Sequence, residues 1–211
     1  MTMKLYCFGE SGHSYKAALA LNIAGCDWAP VFVDFFGGET RSDTYRAEVN
    51  VMGEAPVLVD GVVKLTQSAV IQRYITDKTG KLGGTGDEAY EVLRWQLWDN
   101  HKLSSPAGLT RFLLNFMPAD KQPKEVIAFN QGRLKSAYQV INAHLEGRDW
   151  LVGDGVTNAD LTCCGYLFYP EPFGFDRAEW SNIDRWLGHI EALPNWKHPY
   201  DLMPGNPSDR A

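Results

Sequence analysis

The sequence predicts an α/β half followed by an all-helical half, and three observations carry that reading. β-rich runs stop at Leu65, a glycine-rich break occupies residues 81–87, and beyond it apolar residues recur only at helical spacing. The 211 residues suffice for one large domain or two small ones with a real core. At 45% hydrophobic and 22% charged the composition is ordinary, which excludes disorder, collagen and a disulfide-stapled miniature. Only the 7 Trp, 9 Tyr and 10 Phe stand out, as an aromatic-rich interior or pocket.

Lys4 to Phe8 is a short β-rich run, followed by a loop in the Gly and Ser cluster from Gly9 to Ser14. Ala- and Leu-rich sequence then forms a helix closed by Gly25. Val31 to Phe36 follows at the spacing of a right-handed strand–helix–strand crossover, which makes its two strands parallel. Val57 to Val59, Asp60-Gly61 and Val62 to Leu65 spell a hairpin, because Asp-Gly tolerates the positive φ of a primed turn. Thr66-Gln67-Ser68 opens another helix, which ends at Gly80.

The domains expected are therefore 1–80, a linker at 81–87 and a helical domain at 88–211. In the last, Val92, Leu93, Leu97 and Trp98 mark one amphipathic helix, and Ile127, Leu134, Tyr138, Ile141 and Leu145 mark a second that ends at Gly147. Thr157-Asn158-Ala159-Asp160 has the form of a capping box, with Val156 and Leu161 as its hydrophobic staple, so Asp160 is read as structural rather than catalytic. Ile183, Trp186, Leu187 and Ile190 form a further short face, and the proline-rich tail from Pro199 to Pro207 is expected to wrap the surface.

With 20 Lys plus Arg against 26 Asp plus Glu, the net charge is -6, and a nucleic-acid partner is not expected. Cys7, Cys26, Cys163 and Cys164 include no C-x-x-C pair and read as reduced thiols of a cytosolic protein. No leader-like stretch opens the chain, and no apolar run approaches the roughly 18 residues of a membrane span, so a cytoplasmic protein with no membrane partner is expected. The five histidines show no ligand spacing, and no metal is expected. Phosphate-loop, zinc-protease, nucleophile-elbow and dinucleotide motifs are absent.

What remains is a set of polar residues at the ends of the first domain's elements, where an open α/β sheet places ligands. Ser11 precedes the first helix, whose unpaired N–H groups and dipole favour an anion. Gln67 and Ser68 sit at the start of another helix and are placed to receive a carboxylate. Ala55-Pro56 leads into a strand, where a cis bond would leave the Ala55 backbone free to pair with an extended peptide. Singly, each is also a common turn or cap residue.

In order, they resemble the glutathione S-transferase family, nearest its serine-type theta-like and bacterial members. The segments that carry the resemblance are Leu5-Tyr6-Cys7-Phe8, Ser11 to Lys16, Asn50 to Leu58 and Gln67 to Ile71, then Gly147 to Asp154 with Thr157 to Leu161, and Leu193-Pro194-Asn195-Trp196. The resemblance spans nearly the whole chain and implies a thioredoxin-like N-terminal domain, a helical C-terminal domain and glutathione as co-substrate. It also implies that the Ser11 hydroxyl donates to the glutathione sulfur. A charged hydrogen bond of about 1.5 to 3 kcal/mol corresponds to roughly one to two pKa units, enough to make thiolate a substantial species from a thiol near 8.5. Ser14, one turn on, is the alternative, and Cys7 reads as a small buried hydrophobe.

Ala55, Pro56, Gln67 and Ser68 are the implied glutathione contacts. Glu54 stands where many members carry Lys, Arg or Gln, so Arg41, Arg46 or Lys16 is the expected anchor for the glycine carboxylate. The stretch Leu109 to Phe116, with Ser104 or Ser105, Arg111 and Phe112, and the aromatics Tyr166, Phe168 and Tyr169 are assigned either to a hydrophobic electrophile's pocket or to core between helices. A homodimer follows from the resemblance, with Asp99, beside Trp95 and Trp98, as the candidate cross-subunit contact to the ligand's amino group. Isomerisation, peroxide reduction or dehalogenation on the same thiolate, and a non-catalytic binding module, are the alternative functions.

Overall fold

Met3, Leu5 and Cys7 are buried while Lys4 is exposed and Tyr6 half-buried, and this two-residue period forms the first strand, β1 (Met3–Cys7). A computed structural model describes residues 2–205 and Pro207. Two compact units divide it, one of Met1–Leu82 with Pro194–Ala211 and the other of Gly83–Leu193.

In the first unit β1 runs into α1 (Gly12–Ala24), which Gly25 ends in a left-handed conformation, and then into β2 (Trp28–Phe32), parallel to β1. A 3-10 turn (Glu39–Arg41) and α2 (Asp43–Glu48) follow. The hairpin of β3 (Val57–Asp60) and β4 (Val63–Thr66) leads into α3 (Ser68–Thr79). Sheet order is β2-β1-β3-β4, with β3 antiparallel to both β1 and β4. Leu5 lies opposite Leu58, and Leu58 opposite Leu65. α1 packs on α3, and α2 brings Tyr45 into a second cluster with Phe8 and Val33, flanked by Tyr6, Phe35 and Phe36. This is the expected thioredoxin-like α/β arrangement.

Two expectations shift. The second strand begins at Trp28 and stops at Phe32, earlier than the Val31 to Phe36 run, because Asp34 closes a turn by accepting the Gly37 N–H at 2.7 Å. Pro30, which has no N–H to donate, is accommodated because β2 is an edge strand. The tail after Pro194, assigned from sequence to the helical domain, belongs instead to the α/β unit: Tyr15 Oη donates to the Lys197 carbonyl at 2.9 Å, and a short helix, α9 (Pro199–Leu202), buries Leu202.

The second unit is helical among its described residues: α4 (Glu88–Asp99), α5 (Ser105–Asn115), α6 (Lys124–His144), α7 (Asn158–Cys163) and α8 (Ser181–Glu191). A five-residue π turn, Asn100–Ser104, joins α4 to α5. Ile127, Leu134, Tyr138 and Ile141 form the inner face of α6, and Ile183, Trp186, Leu187 and Ile190 that of α8.

The capping box of α7 is present and does more than cap. Asp160 is fully buried; Oδ1 accepts the Leu151 N–H and Trp186 Nε1–H, both at 2.9 Å, and Oδ2 accepts the Thr157 N–H and hydroxyl at 2.8 and 3.0 Å. Burial pushes its pKa up, and these donors pull the other way. One carboxylate thus ties a loop, a helix start and the α8 face together. Replacing Asp160 by Ala leaves four buried donors without a partner, each costing about 1 to 3 kcal/mol. Urea denaturation is expected to show Asp160→Ala destabilised by at least about 3 kcal/mol.

Candidate active site

At the carboxyl end of β1, residues 8 to 11 form a turn closed by the Ser11 N–H on the Phe8 carbonyl at 3.1 Å. Phe8 is fixed by stacking on Phe35, with ring centroids 4.8 Å apart, and by the edge of Phe36. Ser11 caps α1: its Oγ accepts the Ser14 N–H at 3.1 Å. A serine that caps this way spends an oxygen lone pair and keeps its hydroxyl proton to donate. Ser14 is fully buried in the helix, and its Oγ has no hydrogen-bond partner.

His13 has its pKa pushed down to about 3, first by burial and then by the charge of Lys16. It is therefore neutral across the physiological range. Cys7 is buried, and burial pushes its thiol up to about 12, so it stays protonated and acts as the small hydrophobe its place in β1 implied. Lys16 is buried as well.

Residues 50 to 56 approach the same end of the sheet. The Glu54 carbonyl accepts both Tyr45 Oη at 3.0 Å and Asn50 Nδ2 at 2.9 Å, while Asn50 Oδ1 accepts the Met52 N–H. Tyr45 and Asn50 were not singled out from the sequence, because their roles depend on a loop doubling back; the nearest signal was the polar Asn in a turn-rich stretch. Burial pushes the Tyr45 hydroxyl up to about 12, so it remains a donor. The Ala55–Pro56 bond is cis, and Ala55 lies just outside the β3 ladder.

Gln67 precedes α3 with φ 70° and ψ 120°, a left-handed conformation rare for a side-chain-bearing residue. Its Nε2 donates to Glu54 Oε2 at 3.0 Å. A carboxylate only accepts, so one of the two N–H groups of the Gln67 amide is committed to Glu54. Ser68 opens α3 beside it, half-buried. Of the three cations named for a carboxylate, Lys16 is buried, Arg46 donates to the Val51 carbonyl at 3.1 Å, and Arg41 is exposed without an ion pair among the described residues.

The helical-unit residues are occupied internally. Arg111 is 2% exposed, donates to Glu171 Oε2 through Nε at 3.1 Å and Nη2 at 2.6 Å, and lies 4.0 Å over the Tyr169 ring. Ser104 donates to Asp99 Oδ1 at 2.8 Å, and both are buried. Asp99 is thus an interior acceptor, a correction to the surface acid expected to reach a partner. Tyr166, Phe168 and Tyr169 are buried, with Tyr166 and Tyr169 packed together, and Phe112 packs on Phe116. Trp95, beside Asp99 on α4, is buried against the rings of Trp98 and His144.

Residues 1–77 match the family described as Glutathione S-transferase, N-terminal domain, and residues 106–194 match Glutathione S-transferase, C-terminal domain. The chain belongs to the glutathione S-transferase family. It is 30% identical over 199 residues to glutathione S-transferase F10 of Arabidopsis thaliana, covering 87% of this chain and 90% of that protein. A glutathione S-transferase from Xanthobacter autotrophicus has a crystal structure that superposes with a TM-score of 0.85 at 28% identity, covering 99% of both chains. The structure of glutathione S-transferase-I bound with lactoylglutathione superposes with a TM-score of 0.82 at 25% identity, covering 96% of this chain and 100% of that one. No helix among the described residues is long and apolar enough to cross a membrane, and none of their His, Cys, Asp and Glu groups forms a metal cluster.

Two measurements follow from the ionisation of this region. Cys26 is the only cysteine not classed as buried, so alkylation at mildly alkaline pH followed by peptide mass mapping is expected to label Cys26 ahead of Cys7, Cys163 and Cys164. His13 binds its proton far more weakly in the folded than in the unfolded chain, so the unfolded state takes up more protons below about pH 6.5. Stability is expected to fall as pH drops from 6.5 towards 3, and His13→Gln is expected to flatten that slope in denaturation curves taken across the range.

Proposed function

We propose that this glutathione S-transferase family member is a cytoplasmic, homodimeric transferase in which Ser11 holds the glutathione thiol as thiolate for attack on a hydrophobic electrophile. The observation that carries the reading is the capping geometry of Ser11: its oxygen is committed to the Ser14 N–H, which leaves the hydroxyl proton as a donor at the start of α1. The thiol proton leaves to solvent, the hydroxyl donates to the sulfur anion, and the sulfur electron pair forms the bond to the electrophilic carbon as the leaving group departs from that carbon with its bonding pair. The donor contributes about 1.5 to 3 kcal/mol and the helix start a further 0.3 to 1 kcal/mol or so. Ser14 is poorly suited to this role because it has no exposed surface.

The γ-glutamyl head carries an ammonium and a carboxylate, and the second helix start offers a complement to each. Gln67 Oε1, the acceptor end of the amide whose Nε2 is tied to Glu54, suits the ammonium; the Ser68 hydroxyl and the first N–H groups of α3 suit the carboxylate. Ala55 and Pro56 present the extended backbone that would pair with the cysteinyl segment, and Arg41 is the cation free for the glycine carboxylate. Glutathione as co-substrate is supported by the relatives' names and by the relative that holds lactoylglutathione. The four free cysteines suit a reducing compartment.

Assembly as a homodimer is supported by apolar faces the chain leaves uncovered. Tyr90, Leu93 and Leu97 lie on one side of α4, with Tyr90 75% and Leu97 65% exposed, and Val126, Phe129 and Val140 lie on one side of α6. Light scattering is expected to return twice the 23.6 kDa chain mass, and Leu97→Glu with Phe129→Glu to return the chain mass. A wild-type mass of one chain at micromolar concentration overturns the dimer.

Ultraviolet thiolate absorbance of bound glutathione against pH tests the chemistry. Ser11→Ala is expected to raise the bound-thiol pKa by about one to two units, while Gln67→Ala weakens binding by about 1 to 3 kcal/mol with the titration midpoint unmoved. A Ser11→Ala curve that overlays wild type defeats the proposal.

A further inference from the structure

The far end of the chain returns to the catalytic turn. The Asn22 side-chain amide donates to the Asn195 carbonyl, Tyr15 Oη donates to the Lys197 carbonyl at 2.9 Å, and the Gly9 N–H donates to the Pro204 carbonyl at 2.6 Å. Leu202 and Met203 are buried between the last two of these anchors. Gly205, at φ 79°, passes so close to Phe32 that an added Cβ would stand 2.2 Å from the ring. That position needs glycine both for its left-handed backbone and for the space.

Two of the anchors bracket Ser11. Gly9 is the second residue of the turn that Phe8 begins and Ser11 ends, and its N–H is tied to the carbonyl at position 204. Tyr15 is one helical turn beyond Ser11; its N–H donates to the Ser11 carbonyl at 2.9 Å, and its fully buried ring delivers the hydroxyl to position 197. The backbone on either side of the serine is therefore held by the same distant segment. A turn of four residues held only by its own Ser11-to-Phe8 bond has more freedom than one whose interior N–H is fixed from outside.

We infer that residues 195–205 form a strap that positions the Ser11 hydroxyl, with Tyr15 and Gly205 as its positioning residues. This rests on the proposed role of Ser11. The anchors of the strap land on Asn22, Tyr15 and Gly9, none of which is assigned to the γ-glutamyl head, so loosening it is expected to change how the serine meets the sulfur and to leave the anchoring of the ligand in place. Misplacement of a reacting group by 1 Å costs on the order of 100-fold. Partial release of the strap is expected to lower kcat by about three- to tenfold and to raise the bound-thiol pKa by about half a unit to one unit.

The test uses the full chain with Tyr15→Phe, which deletes one hydroxyl and keeps the ring, and Gly205→Val, which forces the tail away from Phe32, beside Ser11→Ala. Thiolate titration of bound glutathione and kcat and KM with a chloronitrobenzene electrophile are read alongside the affinity for S-methylglutathione, which has no thiol to ionise. Both strap variants are expected to shift the thiolate titration and kcat while S-methylglutathione binds within about twofold of wild type, less than 0.5 kcal/mol. If Ser11→Ala shifts the titration and both strap variants leave it at the wild-type position, the strap is refuted and the serine stands. If Ser11→Ala shifts nothing, the functional reading fails first. S-methylglutathione affinity that falls in step with kcat marks general damage and also overturns the strap. Should Gly205→Val fold poorly, Tyr15→Phe decides alone.

Discussion

β1 is hydrogen-bonded on both sides, parallel to β2 and antiparallel to β3, and the position of every group at the candidate active site follows from that placement. A strand paired on both edges cannot slide by one residue without turning Leu5 and Cys7 out of the core and Lys4 in. Its carboxyl end is therefore a fixed point. The Phe8–Ser11 turn, the start of α1 and the clasp of Phe8 by Phe35 and Phe36 all hang from it. β3, the partner on the other side, brings the cis Ala55–Pro56 bond to the same end of the sheet.

Around that point the unit uses backbone carbonyls and caps more than ion pairs. Glu54 contributes its carbonyl to Tyr45 and Asn50 and its carboxylate to Gln67, so one residue links α2, the loop before β3 and the start of α3. The hydrogen bonds from Tyr45 and Asn50 to the Glu54 carbonyl, of about 0.5 to 1.5 kcal/mol each, fix the geometry of this loop between neutral groups. The ionisable neighbours agree with this: His13 is held neutral and Cys7 protonated by burial. The helical unit makes a parallel choice at Asp160, whose four donors replace solvent for a buried carboxyl group.

Sequence periodicity and local chemistry were sufficient for most of the elements. The alternation in β1, the hairpin that follows Val57, the glycine at the end of α1 and the Thr157–Asp160 box are local patterns, each decided by interactions within a few residues, and each appears in the structure, with the hairpin turn one residue later than Asp60-Gly61, at Gly61-Val62, because Asp60 pairs with Val63. Ser11 as a helix cap was legible for the same reason. The end of β2 was not, because Asp34 closes its turn through a side chain that competes with the strand ladder, and a β-rich composition does not register that competition.

Tertiary structure alone decided which polar side chains are already spent. Arg111 and Ser104 look available in a string of letters; folding gives them Glu171 and Asp99 as partners. One amide N–H of Gln67 is taken by Glu54, 13 residues away. The tail shows the same limit at longer range: Tyr15 and Lys197 are 182 residues apart, and no periodicity connects them. The sequence by itself determined the two-part architecture, the family likeness and the caps, because backbone geometry and burial patterns are set within a turn or two of the chain. The direction of the Gln67 amide and the return of residues 195–205 to the Ser11 turn were decided by the fold, because a hydrogen bond depends on where two groups meet in space.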